Sequence, residues 1–146
     1  MDNTTMRRRV QEARVGHLAT VTTGGLPHVV PCCFILSRGA LYSAVDAKPK
    51  STVALRRLEN LRANPSVSLL ADHYVEDWSA LWWIRVDGIA RIIGPGAEHN
   101  RALSELAAKY EQYRREPPPG PVIAVDISAW RAWQSEVVRQ TRPGPG

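Results

Sequence analysis

Cysteine is scarce. The 146 residues carry two, Cys32 and Cys33. They are adjacent inside an apolar run, and neighbours on an extended strand face opposite sides. The pair therefore suits two small core residues rather than a bridge or a metal site. No apolar stretch approaches the roughly 20 residues of a membrane-spanning helix. Met1-Asp2-Asn3 is polar, with no apolar signal segment behind it, so the cytoplasm is the expected compartment and no membrane partner is expected. The four histidines, His17, His28, His73 and His99, lack ligand spacing, and no metal is expected. No glycine-rich dinucleotide fingerprint, nucleophile–base pair or internal repeat appears, and no catalytic residue is assignable. With 44% hydrophobic and 23% charged residues the chain reads as one soluble domain over residues 1–140 with a disordered tail, 141–146. The net charge of +5 favours an anionic partner.

What is present centres on Tyr42-Ser43-Ala44-Val45-Asp46-Ala47-Lys48-Pro49-Lys50-Ser51-Thr52. Leu41–Val45 reads as a strand, Lys-Pro-Lys as a stiff loop, and Ser51 or Thr52 as the cap of a helix over Val53–Arg62. Two ammonium groups, two hydroxyls and free helix-start N–H groups converge there, as a phosphate requires. Two solvated lysines beside an ordinary cap is the alternative.

The remaining elements are read from pattern. Residues 4–14 suit a helix capped by Asn3 or Thr4, and its Arg7, Arg8, Arg9 and Arg14 suit a solvated face. That segment lacks the aromatic and base-reading partners of a nucleic-acid site. Gly16–Thr23 and Leu26–Leu36 form a hairpin around Gly24-Gly25. Both faces of the second strand are apolar, as if one met a core and the other a subunit or a flat ligand. Pro31 marks a bulge or an edge. The helix buries Leu55, Leu58 and Leu61 and stops at Asn64-Pro65. Ser66–Asp72 and Leu81–Ile93 are strands, with Gly88 at a bend or close approach; Ile84, Val86 and Ala90 share one face of the second, and Arg85 and Asp87 the other, where they would pair or meet a ligand. A helix over 97–115 buries Leu103, Leu106, Ala107 and Tyr110. Val122–Ile127 and Trp130–Val138 are two final strands. Together these predict a mainly β, six- to seven-stranded antiparallel split barrel with two or three flanking helices.

Gly16-His17-Leu18-Ala19-Thr20, Pro27-His28-Val29-Val30-Pro31, Asp46-Ala47-Lys48-Pro49-Lys50-Ser51, Asn64-Pro65-Ser66-Val67-Ser68-Leu69 and Trp83-Ile84-Arg85-Val86-Asp87-Gly88-Ile89-Ala90 occur in that order. In this the chain resembles the pyridoxamine-phosphate-oxidase-like split barrels over about residues 5–137, and within them the actinobacterial branch that uses the deazaflavin coenzyme F420. The resemblance implies a homodimer with two cofactor sites at the subunit interface. It implies that Lys48, Lys50, Ser51 and Thr52 hold the cofactor phosphate. Val30, Pro31, Cys32 and Ser43 would run beside the ring and ribityl chain, and Trp78 or Trp82 would approach from the partner. Flavin-using oxidases of the superfamily usually carry an Arg-Lys pair in that loop. Lys-Pro-Lys departs from it, and the C-terminal substrate segment of the true oxidases has no match.

The implied reaction is hydride transfer between F420 and a small organic acceptor, with the cofactor doing the chemistry. Arg56 or Arg57 would add to a basic groove for its anionic tail. His28, Tyr42, His73 and Tyr74 are the available proton donors. The rival readings are an FMN protein on the same barrel and a non-catalytic carrier of a deazaflavin, tetrapyrrole or flavin. Nucleic-acid binding rests on charge alone.

Overall fold

The computed structural model describes residues 1–45 and 52–136, with the side chains of 52–55 also outside it. The elements run α1 (Asn3–Glu12), β1 (Gly16–Val21), β2 (Pro27–Cys32), β3 (Ile35–Ser37), β4 (Ala40–Ala44), α2 (Thr52–Ala63), β5 (Ser66–His73), a 3-10 turn (Trp78–Ala80), β6 (Trp82–Ile93), α3 (Ala97–Lys109), α4 (Glu111–Arg115) and β7 (Val122–Gln134). The seven strands pair antiparallel in the order β2-β1-β5-β6-β7-β4-β3. The two edge strands, β2 and β3, are consecutive in the chain and joined by Cys33-Phe34 alone. The three Cα steps from Cys32 to Ile35 span at most about 11 Å, so the sheet must curl until its edges approach at that link. This is the split barrel the patterning predicts.

Several expected boundaries move. The strand expected over Leu26–Leu36 is two, β2 and β3, because the link residues leave the ladder to turn the barrel's corner. The two expected C-terminal strands are one, β7. Asp87 pairs Ala129 while Gly88 pairs Ile127, so Ser128 bulges out and its hydroxyl donates to the Asp87 carbonyl at 3.2 Å. The bulge absorbs the polar interruption without ending the strand. A Cβ on Gly88 would lie 2.7 Å from Val125 Cγ1 and against the Asp126 backbone, the close approach expected there. The helix expected over 97–115 breaks at Tyr110, which is extended (φ −118°, ψ 119°). The described residues thus hold four α-helices rather than two or three. The first is capped by Asp2, not Asn3 or Thr4: its carboxylate accepts the Thr5 N–H at 2.8 Å. The 137–146 tail lies outside the described residues.

Two cores result. The barrel interior packs Leu18, Phe34, Leu41, Ile84, Val86 and Ile123. A second core sits outside the sheet, where α3 and α4 cover β3, β4 and β7 through Tyr42, Leu106, Tyr110, Tyr113, Val122 and Ala124. All five residues of β4 are buried because it lies between them. Leu58 and Leu61 of α2 face the first core as expected.

The link between the edges is fastened by polar contacts. The Tyr110 hydroxyl accepts the Phe34 N–H at 3.1 Å and donates towards the carbonyls of Arg14 (3.0 Å) and Phe34 (3.1 Å). Lys109 Nζ donates to the Phe34 carbonyl at 2.9 Å and lies 4.2 Å from the centre of the Phe34 ring. Burial, with the Arg14 guanidinium, pulls the Lys109 ammonium down to about 8, and burial pushes the Tyr110 phenol up to about 12. Between about 8 and the ordinary 10.5 the unfolded chain keeps a Lys109 proton that the folded chain has released, so this group makes stability rise with pH. Tyr110 acts the other way, and only above its ordinary value of 10.0. Urea midpoints of the wild type, measured from about pH 7.5 to 9.5, should therefore climb relative to those of Lys109→Met. Parallel profiles would show that the amine is not depressed.

Candidate functional site

The sheet leaves one strand half covered. Along β2, Pro27, Val29 and Pro31 are exposed, His28 and Val30 half-buried and Cys32 buried. Val29 keeps 60% of its surface open to solvent. Among the described residues this is an edge strand, with β1 on one side and no neighbour on the other, so backbone groups and apolar side chains are both available to a flat partner. The face expected to need a second cover is left open by the described residues.

At its end β2 runs into a small polar cluster. Cys32 and Ser43 are buried, and Ser43 Oγ donates to the Cys33 carbonyl at 2.7 Å. Burial raises the Cys32 thiol above its ordinary value, and the Arg57 charge only partly offsets this. The thiol is thus held neutral, unsuited to thiolate chemistry. Arg57 projects from α2, while Arg56 beside it is exposed. Its Nε is buried and has no hydrogen-bond partner, as is Thr20 Oγ1. Buried donors are normally satisfied, and a guanidinium nitrogen with no partner among the described residues suits contact with an anion. Lys48, Lys50 and Ser51 lie outside the described residues. Thr52 opens α2, with its side chain outside the described set. The loop that carries them leaves β4 beyond Val45, whose N–H bonds the Pro121 carbonyl at 3.3 Å, and enters α2.

The expected proton donors divide. Tyr42 is buried and its hydroxyl donates to Glu98 at 2.7 Å, a structural bond that Arg91 reinforces from the other side of the carboxylate. His28 remains partly accessible on β2, and His73 and Tyr74 are exposed.

A second surface lies across the rim. An aromatic groove of about 470 Å³ is floored by Leu70, Leu81, Trp82, Trp83 and Trp133, with Arg85 at its margin. Trp83 and Trp133 are direct neighbours across β6 and β7. Arg85 pairs with Asp87 at 2.9 Å, one of the two roles expected for these residues. Trp78, in the 3-10 turn, is 63% exposed. Trp82 is less open: His73 stacks on it at 5.9 Å and Arg9 covers it at 5.2 Å. Asp72, His73 and Trp82 also line a cleft of about 670 Å³ that extends under α1 to Arg8, Arg9 and Arg14.

The arginine run is not simply a solvated face. Arg7 lies over Trp130 at 5.2 Å, Arg9 over Trp82, and Arg14 over Tyr110 at 4.8 Å. The aromatic partners come from 70 or more positions along the chain, too far for local pattern to reveal. They clamp α1 to the barrel. Arg8 alone of the four shows no such aromatic contact among the described residues.

Removing the orphaned donor should relieve the fold. Arg57→Met keeps the apolar stem, and its stability in chemical unfolding should rise by about 1 kcal/mol. A loss of stability would mean that the guanidinium is already satisfied within the chain.

No curated protein matches this sequence. Solved structures do share the fold. A conserved hypothetical protein, Rv2991, of Mycobacterium tuberculosis superposes with a TM-score of 0.78 at 19% identity, over 99% of this chain and 93% of its own. A FAD-binding protein of Mesorhizobium loti gives 0.69 at 22% identity, over 90% and 94%. HutZ, the heme storage protein of Vibrio cholerae, gives 0.69 at 16% identity, over 90% and 93%. These identities speak for the fold alone. The profile of pyridoxamine 5'-phosphate oxidase matches residues 3–134. A match of that span decides membership, and this chain belongs to the pyridoxamine 5'-phosphate oxidase family.

Proposed function

We propose that the protein is a homodimeric F420-dependent oxidoreductase of this family, passing a hydride between the deazaflavin coenzyme and a small organic acceptor. One observation carries the reading. An open apolar edge strand, with Val29 60% exposed, ends at the buried Cys32, which feels the charge of Arg57, whose buried Nε has no partner among the described residues. A flat ring with an anionic tail meets both needs at once. The Lys-Pro-Lys loop between β4 and α2, in place of an Arg-Lys pair, supports a deazaflavin over FMN.

When bound, the coenzyme supplies a two-electron carrier. The chain's own part is to hold and shield it. Lys48, Lys50, Ser51, Thr52 and Arg57 take the phosphate, while Val30 and Pro31 flank the ring. Cys32 and Ser43 form the floor beneath it, with the thiol kept neutral by burial. The bare face of β2 and the Trp78–Trp133 surface are closed by a second copy, which also excludes water from the hydride path. His28 is the proton donor nearest the ring on this arrangement, since it sits on β2 itself. Neither cysteine is in a disulfide, in keeping with the cytoplasm.

A second reading, a non-catalytic tetrapyrrole carrier, has one observation in its favour. The cleft under α1 combines Arg8, Arg9 and Arg14 with an exposed His73 stacked on Trp82, which suits a flat macrocycle bearing carboxylates. Titration with F420, FMN and hemin side by side separates the readings. F420 should bind tightest, and Lys50→Ala should weaken it by about 1–3 kcal/mol. Tighter binding of hemin without turnover would favour the carrier, and a yellow protein as purified would favour FMN. Sedimentation at micromolar concentration should show a dimer; a monomer would leave the shared site without its second wall.

A further inference from the structure

We propose that Lys109 is an amine nucleophile that accepts acyl groups from small acyl phosphates in a cleft of its own, between α1, β3 and α3. That cleft, about 320 Å³, is lined by Gln11, Ile35, Leu36, Glu105, Ala108 and Lys109. The amine is gripped by its own surroundings rather than by a counter-charge. Nζ donates to the Phe34 carbonyl at 2.9 Å and lies 4.2 Å and 5.2 Å from the Phe34 and Tyr110 ring centres. Glu105, one helical turn before it, leaves Oε2 buried and without a partner.

The charged and titratable groups around the amine are Arg14, Glu105, Tyr110, Cys32 and Cys33. Burial and Arg14 act against its proton, and the two cysteines only weakly for it, leaving it at about 8. About a quarter of the molecules then carry a free amine near pH 7.5, against roughly one in a thousand for an ordinary lysine. Arg14 also attracts an anionic donor, an attraction that an uncharged aldehyde or ester lacks. In the step, the amine lone pair attacks the acyl carbonyl carbon. A C–N bond forms and the C–O bond to phosphorus breaks. Phosphate leaves with the bonding pair, and the surplus ammonium proton passes to water. The products are an amide, phosphate and one proton.

Mapping is unambiguous, since the chain has only Lys48, Lys50 and Lys109. The full-length protein is incubated with acetyl phosphate from about pH 6.5 to 9.5, with Nα-acetyl-lysine amide in the same tube as the standard. Peptide mass spectrometry follows each amine. Near pH 7.5 Lys109 should acetylate about tenfold or more faster than the standard, allowing for the lower nucleophilicity of a less basic amine. Its rate should level off above about pH 8 while the standard keeps climbing. Lys109→Arg should remove that adduct and leave those on the other two lysines. A rate no greater than the standard, or one still climbing at the top of the range, overturns the proposal.

Discussion

Two residues, Cys33 and Phe34, tie the first edge of the sheet to the last. A covalent tie of that length forces the sheet to roll, and the rest of the structure follows from the rolling. Phe34 is fully buried at the tie, so the corner is filled by an apolar ring. Its backbone, which leaves the ladder there, is taken up by Tyr110 and Lys109 from α3 and the residue that follows it. Buried backbone groups cannot be left unpaired cheaply. The break in the helix at Tyr110 is therefore part of the same arrangement: the ring must turn inward to serve the corner.

The site inherits its form from this closure. Rolling buries β4 from both sides and leaves β2 as an edge with one open face. The same corner brings Cys32 and Ser43 together near Arg57 of α2. An open strand beside a half-buried arginine whose Nε has no partner among the described residues is poor packing for an isolated chain. It is good preparation for a flat anionic ligand and a second subunit. Stability left unused in the single chain is what a binding site requires.

The sequence made much of this legible. Alternation along β6 is strict, so Ile84, Val86 and Ala90 could be placed inside and Arg85 and Asp87 outside. Gly24-Gly25 marked the first hairpin, and at the β3–β4 hairpin Arg38 and Gly39 adopt the left-handed backbone of a tight two-residue turn. The misses share a cause. The β2–β3 corner, the Ser128 bulge and the Tyr110 break are set by contacts distant in sequence, and local pattern carries no trace of them. The arginines of α1 and just beyond it are the plainest case: the aromatic partners of Arg7, Arg9 and Arg14 are Trp130, Trp82 and Tyr110. Of the site residues, Pro31 announced the edge through its missing N–H. Arg57 drew notice only as one of two adjacent arginines, because helical phase alone did not show which was drawn inward. The loop lysines, which motif order singled out most firmly, lie outside the described residues.

Hydrogen exchange of the protein with and without the deazaflavin coenzyme tests the central claim most directly. If the ring lies along the open edge, the amides of β2 and of the first turn of α2 should slow on binding, while the outer face of α3 stays unchanged. Protection confined to the cleft beneath α1, with β2 exchanging as before, would contradict the account.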